Sequence, residues 1–278
     1  MSSKNIKIVL LISAAILFVL LFIAPKKISD KPISETKAIL KAEAATLDAL
    51  INIALKSLSL VEKNKFDSLI TVSQKNPHDS IFEQLADFWD SKKRPDFASF
   101  YVEKQAIRKP SVENYINAGN RYFYSVRFVS DANEVPTLYK SAMRCYQTAL
   151  DKEPLNAEAK IQLAACYLEE GSSPMQGITL LKEVEKVDSN NVKLQLNFAF
   201  FSVKSGQLDK ALNRYQKVLA IDPNFIEAYL HLADVYEQLG ENAKTIEMLE
   251  LYASKTDDAM AKNEINKYIK QLKQKTNN

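Results

Sequence analysis

Few side chains in this sequence are of types and spacings that could perform catalysis. His231 lies in a helical pattern with no recognisable nucleophile or orienting acid beside it, which disfavours a catalytic role. Asp87 and Asp90 are one helical turn apart, as acid–base pairs can be, but nothing around them supplies desolvation or a counter-charge. We therefore interpret them as a solvated helix face. His78 is far from His231 in the sequence.

The sequence contains two cysteines, Cys145 and Cys166. They form neither a disulfide framework nor a metal-binding motif, and buried free thiols are the favoured interpretation. A disulfide is the alternative if the domain is extracytoplasmic. The sequence has no P-loop, GxGxxG, GxSxG, HExxH or paired CxxC. We expect no catalytic residue, no cofactor and no metal, and therefore a non-enzymatic protein.

Composition favours a folded helical protein. Hydrophobic residues make up 46% of the 278 residues and charged residues 26%, which is ordinary for a globular chain. Only 5 glycines are present, too few for the turns of an all-β fold. The net charge of +3, with scattered lysines, predicts that nucleic acid is not a partner.

Residues 6–24, "IKIVLLISAAILFVLLFIA", form an apolar segment after a short tail at 1–5. As a helix this segment would span roughly 28 Å, close to the hydrocarbon thickness of a bilayer. Its length, and Pro25 directly after it, favour an uncleaved anchor over a signal peptide. We expect a single-pass protein of the bacterial inner membrane that contacts lipid through 6–24. The repeat domain is expected to be extracytoplasmic, although lysines on both sides do not select an orientation.

Residues 25–78 are predicted to hold an extended linker and an amphipathic helix. Apolar residues recur there in steps of four and three, at Leu40, Ala44, Leu47, Ile51, Ala54, Leu58 and Val61. The favoured interpretation is a helix packed against the first repeat, because three heptads are the lower limit for a coiled coil. The alternative is a seam for weak homo-oligomerisation.

The C-terminal two thirds of the chain repeats itself. Gly171, Gly206 and Gly240 recur at intervals of 35 and 34 residues, and Pro154 and Pro223 are 69 apart. This period is typical of helix-turn-helix arrays. Glycine can end the first helix of a pair and proline can follow the second.

The residues at these spacings resemble the tetratricopeptide repeat. The matching positions are Tyr229, Leu232, Ala233 and Tyr236 in one unit, Phe198, Ala199, Ala211, Tyr215 and Pro223 in the unit before it, Leu163, Ala164, Tyr167, Gly177 and Leu181 in another, and Ala118, Gly119, Tyr122, Ala142, Tyr146 and Pro154 in a fourth. Phe82, Leu85, Ala86, Trp89, Ala98, Val102 and Pro110 make a degenerate fifth. The whole chain resembles uncharacterised bacterial single-pass membrane-anchored members of this family.

The resemblance implies an all-α fold, in which an N-terminal transmembrane helix precedes a right-handed superhelical α-solenoid. The array is expected over 79–256, with a cap and tail at 257–278. Its units are expected at 79–111, 112–156, 157–191, 192–225 and 226–256.

The resemblance also implies a concave groove, lined by the first helix of each pair, that binds a protein or peptide. The residues expected in its apolar middle are Asn120, Phe123, Tyr124, Ile161, Ala165, Leu168, Lys193, Leu196, Phe200, Val203 and Lys204. The acidic residues expected at its ends are Glu83, Asp87, Asp90, Glu227, Asp234 and Glu237. The alternative is that stacking of the units buries some of these side chains.

Two features bear on the partner. The lysine and asparagine clamp for the C-terminal carboxylates of heat-shock chaperones is largely absent: Asn120 and Lys193 match it, whereas Ile116, Gln162 and Asn197 do not. Residues 125–137 form an insertion between two helices, and an inert loop is slightly favoured over a binding loop.

We therefore expect a membrane-anchored adaptor that holds a protein or peptide in its groove, as an accessory to protein assembly, secretion or cytochrome maturation. The alternative is a structural protein that self-associates through the seam at residues 40–61.

Overall fold

The computed structural model describes residues 47–129 and 131–276. The chain divides into two compact units, residues 1–49 and 50–278. Of the first unit, the described residues 47–49 are helical; the second begins with helical residues 50–55. All regular structure in the described part of the chain is helical.

Twelve further helices follow, joined by short turns. They are α1 (Leu60–Lys75), α2 (Asp79–Ser91), α3 (Pro95–Arg108), α4 (Val112–Ser125), α5 (Val135–Lys152), α6 (Ala157–Glu170), α7 (Pro174–Val187), α8 (Val192–Lys204), α9 (Leu208–Ile221), α10 (Glu227–Gln238), α11 (Asn242–Lys255) and α12 (Ala259–Thr276). A short 3-10 helix, Val126–Phe128, lies between α4 and α5. Two helices fall within each of the five segments assigned to repeat units, whose exact boundaries stay a prediction.

The recurring glycines lie where the first helix of a pair ends. Gly171, Gly206 and Gly240 have φ angles of +83°, +72° and +74°, a left-handed conformation that side chains with a Cβ rarely adopt. Gly171 is the C-cap of α6. Three turns of the array therefore depend on glycine, as their spacing predicted.

Another glycine permits a close helix contact. A Cβ added to Gly119 on α4 would lie 2.5 Å from the ring of Tyr146 on α5. Tyr122 and Tyr146 are both fully buried, and Ala118 and Ala142 are fully buried beside them in the sequence. Small residues thus let α4 and α5 approach, and large ones fill the space between them.

Consecutive pairs share hydrophobic cores. One core unites α6, α7 and α8 through Ile161, Ala164, Leu168, Leu181, Val184, Leu194, Phe198 and Phe201. The next unites α8, α9 and α10 through Ala199, Ala211, Tyr215, Leu232, Val235 and Tyr236. At the C-terminal end, Ile269 and Leu272 of α12 pack with Ala233 and Leu249. Each pair therefore buries its apolar face against the next pair.

Helix α1 packs against the first pair through an aromatic cluster. The ring of Phe66 lies 5.4 Å from that of Phe88, 5.5 Å from that of Trp89 and 6.3 Å from that of Tyr101. This helix begins at the end of the segment 40–61, in which we expected a helix packed against the first repeat, so that expectation stays a prediction.

The structure limits how far one helix extends within residues 40–61, while the alternative of a self-associating seam there stays a prediction. Residues 40–46 lie outside the described residues, and the helical residues 50–55 are followed by a turn that ends before Ser59. Ser59 and Glu62 form a capping box that starts the new helix α1. Val61 is 78% exposed at the start of that helix. The helical register is therefore lost at residues 56–59, and one apolar stripe cannot run to Val61.

The expected localisation also needs correction. Within residues 47–129 and 131–276, no helix is both long and apolar enough to cross a membrane, and this contradicts the predicted single-pass membrane localisation. Residues 6–24, where we expected the anchor, lie outside the described residues.

Candidate protein-binding surface

The residues predicted to line the groove differ widely in their exposure. Tyr124, Lys193, Phe200 and Lys204 are exposed, whereas Asn120, Phe123 and Leu196 are half-buried. All seven lie on α4 or α8, which are first helices of their pairs. We call the exposed sides of α4, α6, α8 and α10 the first-helix face.

Phe200 is the large apolar residue of this face on α8. Its side chain is 46% exposed. Leu196 and Val203, one turn to either side, are half-buried and pack against the core that α8 shares with α9 and α10. The side chain of Asn191 caps the start of the helix by accepting a hydrogen bond from the Leu194 amide at 3.1 Å. Phe200 is therefore an exposed aromatic ring on a capped and well-packed helix.

Two lysines on α8 already have partners within the chain. Lys193 Nζ lies 2.8 Å from both carboxylate oxygens of Glu158 on α6. Lys204 Nζ donates to the carbonyl oxygen of Leu168 at 2.6 Å and to that of Glu169 at 3.4 Å. These carbonyls lie at the C-terminal end of α6, where the helix dipole is negative. Both ammonium groups thus bind α6 to α8.

Three of the residues expected in the groove are instead buried. Ile161 is 1%, Leu168 2% and Ala165 9% exposed. Ile161 and Leu168 belong to the core that α6 shares with α7 and α8. These parts of the prediction are wrong for a physical reason: stacking of α8 on α6 covers side chains that a single pair would leave in solvent.

Helix α4 contributes polar and aromatic side chains. Asn120 Oδ1 accepts a hydrogen bond from the Tyr146 hydroxyl at 2.8 Å. Phe123 lies edge-on to Tyr139, with ring centroids 6.0 Å apart. The ring of Tyr124 is 4.8 Å from that of Phe128 in the insertion, which is 51% exposed. Sequence reasoning missed Phe128, although an aromatic residue within a polar insertion was a signal for it.

The acidic residues at the two ends have different surroundings. On α2, Asp90 pairs with Arg121 at 2.5 Å and Glu83 accepts a hydrogen bond from Gln105 at 2.9 Å. Asp87 is exposed.

Helix α10 carries three exposed carboxylates, those of Glu227, Asp234 and Glu237, which we call the α10 carboxylates. Asp234 accepts a hydrogen bond from Gln238 Nε2 at 2.9 Å, and Glu237 accepts one from the Tyr268 hydroxyl. Among the described residues, no lysine or arginine forms an ion pair with any of the three.

The residues considered for catalysis lie in ordinary structural settings. His231 stacks on Tyr215, with ring centroids 5.0 Å apart and planes 14° from parallel. Burial lowers the pKa of His231, while Asp234 and Glu227 act in the opposite direction. His78 precedes α2, and its Nδ1 lies 2.8 Å from Ser80 Oγ.

The cysteines are free and buried, and burial raises the pKa of both thiols. In the described ranges, no group of three or more His, Cys, Asp or Glu residues is placed to hold a metal ion.

Residues 203–240 match a family model described as TPR repeat. A curated barley (Hordeum vulgare) protein, described as the probable UDP-N-acetylglucosamine–peptide N-acetylglucosaminyltransferase SPINDLY, is 32% identical over 124 residues. That match covers 45% of this chain and 12% of the barley protein, so the chain spans about one eighth of its relative.

Solved structures share the fold. A tetratricopeptide repeat protein from Parabacteroides merdae superposes with a TM-score of 0.55 at 16% identity, over 84% of this chain and 87% of that one. TTC0263, a thermophilic TPR protein of Thermus thermophilus, superposes with a TM-score of 0.52 at 14% identity, over 70% of this chain and 98% of that one.

Tetratricopeptide arrays are interaction scaffolds that bind protein or peptide partners, and they are generally non-catalytic. The helix pairs, their glycine turns and the matched repeat model all agree with the sequence-based interpretation. Residues 203–240 therefore match a tetratricopeptide repeat, and the described helices have the fold of tetratricopeptide-repeat proteins.

Proposed function

We propose that the chain is a non-enzymatic adaptor that binds a segment of a protein partner on its first-helix face. In this proposal it holds a client as an accessory to protein assembly, secretion or cytochrome maturation. The residues we assign to the contact are those of the predicted groove that remain accessible: Asn120, Phe123, Tyr124, Lys193, Leu196, Phe200 and Lys204.

The exposure of Phe200 supports this proposal most strongly. At 46% exposure, its ring leaves apolar area in water on a helix that is otherwise well packed. A rigid, partly exposed aromatic ring surrounded by polar side chains is the usual anchor of a protein-binding surface. The half-buried Leu196 and Val203 extend the apolar surface along α8.

Site-specific photo-crosslinking in cells tests the proposal. A photoreactive amino acid would replace Phe200 in one variant and Val187 in another. Val187 is a suitable control because it is 87% exposed at the end of α7, a second helix. We expect position 200 to crosslink a discrete protein partner and position 187 to give none. Equal crosslinking at both positions, or none at position 200, would exclude the first-helix face as the binding site.

A further inference from the structure

The chemistry of the first-helix face also indicates what kind of segment it binds. The two lysines of α8, the helix that carries Phe200, are not free to attract an anion. Lys193 is held by Glu158, and Lys204 is held by carbonyls at the end of α6. Binding an acidic ligand here would require one of these contacts to be broken, so an anionic partner gains little from them.

The next first helix has the opposite charge. Glu227 and Asp234 follow Lys193 and Phe200 by 34 residues each, so they occupy the same positions one repeat later. Helices α8 and α10 share one core, which fixes the two faces as neighbours in the array. His231 lies between the two acids on α10, where its ring stacks on Tyr215 and burial lowers its pKa. The exposed Phe200 is therefore followed one repeat later by acidic side chains that, among the residues the structure describes, form no ion pair with a lysine or arginine.

Two arginines of this chain each contact an aromatic ring and a carboxylate at the same time. The guanidinium of Arg94 lies 3.5 Å from the centre of the Phe97 ring, and its Nη2 is 2.6 Å from Asp96. The guanidinium of Arg214 lies 4.3 Å from the centre of the Phe198 ring, and its Nη1 is 2.6 Å from Glu185. Arginine stacks on an aromatic face and pairs with a carboxylate at once, which the compact, strongly hydrated ammonium of lysine does less well.

We propose that the surface formed by Phe200, Glu227 and Asp234 binds an arginine-containing segment of the partner, with a guanidinium over the Phe200 ring and directed towards Asp234. This inference rests on the proposed function and specifies the chemistry of the ligand. It predicts that arginine is preferred over lysine, and that both are preferred over acidic residues.

Fluorescence anisotropy with the full-length protein tests this preference. Three labelled synthetic peptides would share one length and one set of apolar residues, and their remaining positions would be all Arg, all Lys or all Glu. We expect the Arg peptide to bind most tightly and the Glu peptide not to bind. Asp234→Asn should weaken the Arg peptide by about fivefold or more, because it removes a charge-assisted hydrogen bond.

The matched control is Glu247→Gln, which removes one negative charge from an exposed site on α11. We expect it to change the affinity by less than about twofold, because Glu247 is an exposed charge on a second helix, outside the first-helix face. Phe200→Leu keeps an apolar side chain, and it should reduce the advantage of Arg over Lys. Equal losses for Asp234→Asn and Glu247→Gln, or binding of the Glu peptide as tight as that of the Arg peptide, would overturn the inference.

The two proposals can fail separately. If position 200 crosslinks a partner but the peptides show no preference for arginine, the proposed function stands and the inferred arginine specificity is refuted. If the Arg peptide binds in an Asp234-dependent way but no partner crosslinks at position 200, the surface binds arginine as inferred, and the proposal that this face binds a protein partner is refuted.

Discussion

The guanidinium of Arg144 on α5 forms a buried ion pair with the carboxylate of Glu103 on α3. Its Nε and Nη2 lie 3.0 and 2.9 Å from Oε1, and Nη2 is 2.8 Å from Oε2. Tyr122 on α4 donates its hydroxyl proton to Oε2 at 2.8 Å. Glu103 is 8% exposed and Tyr122 fully buried. Three consecutive helices are thus joined by one buried polar network, and burial, followed by the nearby Glu103, raises the pKa of Tyr122.

Breaking this pair from one side should destabilise the fold strongly. Arg144→Met leaves the Glu103 carboxylate buried without its cation, and such losses are about 3–5 kcal/mol. Urea unfolding followed by circular dichroism measures the change. The double variant Glu103→Gln/Arg144→Met removes both charges and leaves an acceptor for Tyr122, so it should be clearly more stable than Arg144→Met. Equal stabilities would mean that the buried charge is not the cause.

Gly119→Ala tests the close approach of α4 to α5. The added methyl would lie 2.5 Å from the Tyr146 ring, and overpacking of this kind typically costs about 1–3 kcal/mol. Thermal unfolding should show this loss in Gly119→Ala but a smaller effect of the same substitution in a Tyr146→Leu background. The difference is the coupling energy between the two positions. Additive losses would show that the methyl and the ring do not collide.

The buried thiols should be chemically silent in the folded protein. Cys145 and Cys166 are 1% and 0% exposed, and burial raises the pKa of each, so little thiolate forms and reagents cannot reach it. We expect iodoacetamide at about pH 8 to leave both unmodified over hours, and to modify both rapidly in urea. Mass spectrometry of the intact protein reads the result. Rapid modification without urea would show that this core opens readily.

His231 should make stability depend on pH. Burial lowers its pKa below the ordinary value of 6.5, so the folded chain binds this proton less well than the unfolded chain. The stability that neutral His231 contributes is therefore fully present above pH 6.5, and it is lost as the pH falls from 6.5 towards the lower pKa of the folded state. We expect the free energy of unfolding to fall between about pH 7 and pH 5.5, and to fall less in His231→Gln. The same pH dependence in both proteins would assign it to other groups.

Much of the fold was predictable because it depends on local rules. Gly171, Gly206 and Gly240 fix the turns through their φ angles, and small residues such as Gly119 mark close helix contacts. The start of a new helix after Ser59 was also encoded locally, by the capping box that Ser59 forms with Glu62. We missed it because the apolar spacing continues across Ser59.

The binding surface was less predictable because it depends on contacts between repeats. The periodicity placed Ile161 and Leu168 on the first-helix face, but the stacking of α8 on α6 buries them. The periodicity of the sequence likewise could not show that Lys193 pairs with Glu158, because these residues are 35 positions apart. Phe200 stays accessible, and the residue at the same position one repeat later is Asp234, which is also exposed and does not extend the core.

The affinity of Phe200→Ala for the partner captured at position 200 tests the central claim most directly. Met175→Ala is the control, since Met175 is 70% exposed but lies on α7, outside the first-helix face. We predict that Phe200→Ala binds the partner at least roughly tenfold more weakly with unchanged helicity, and that Met175→Ala binds like the parent. If Phe200→Ala binds normally, and Phe128→Ala in the insertion abolishes binding, the first-helix face is not the site and the insertion is.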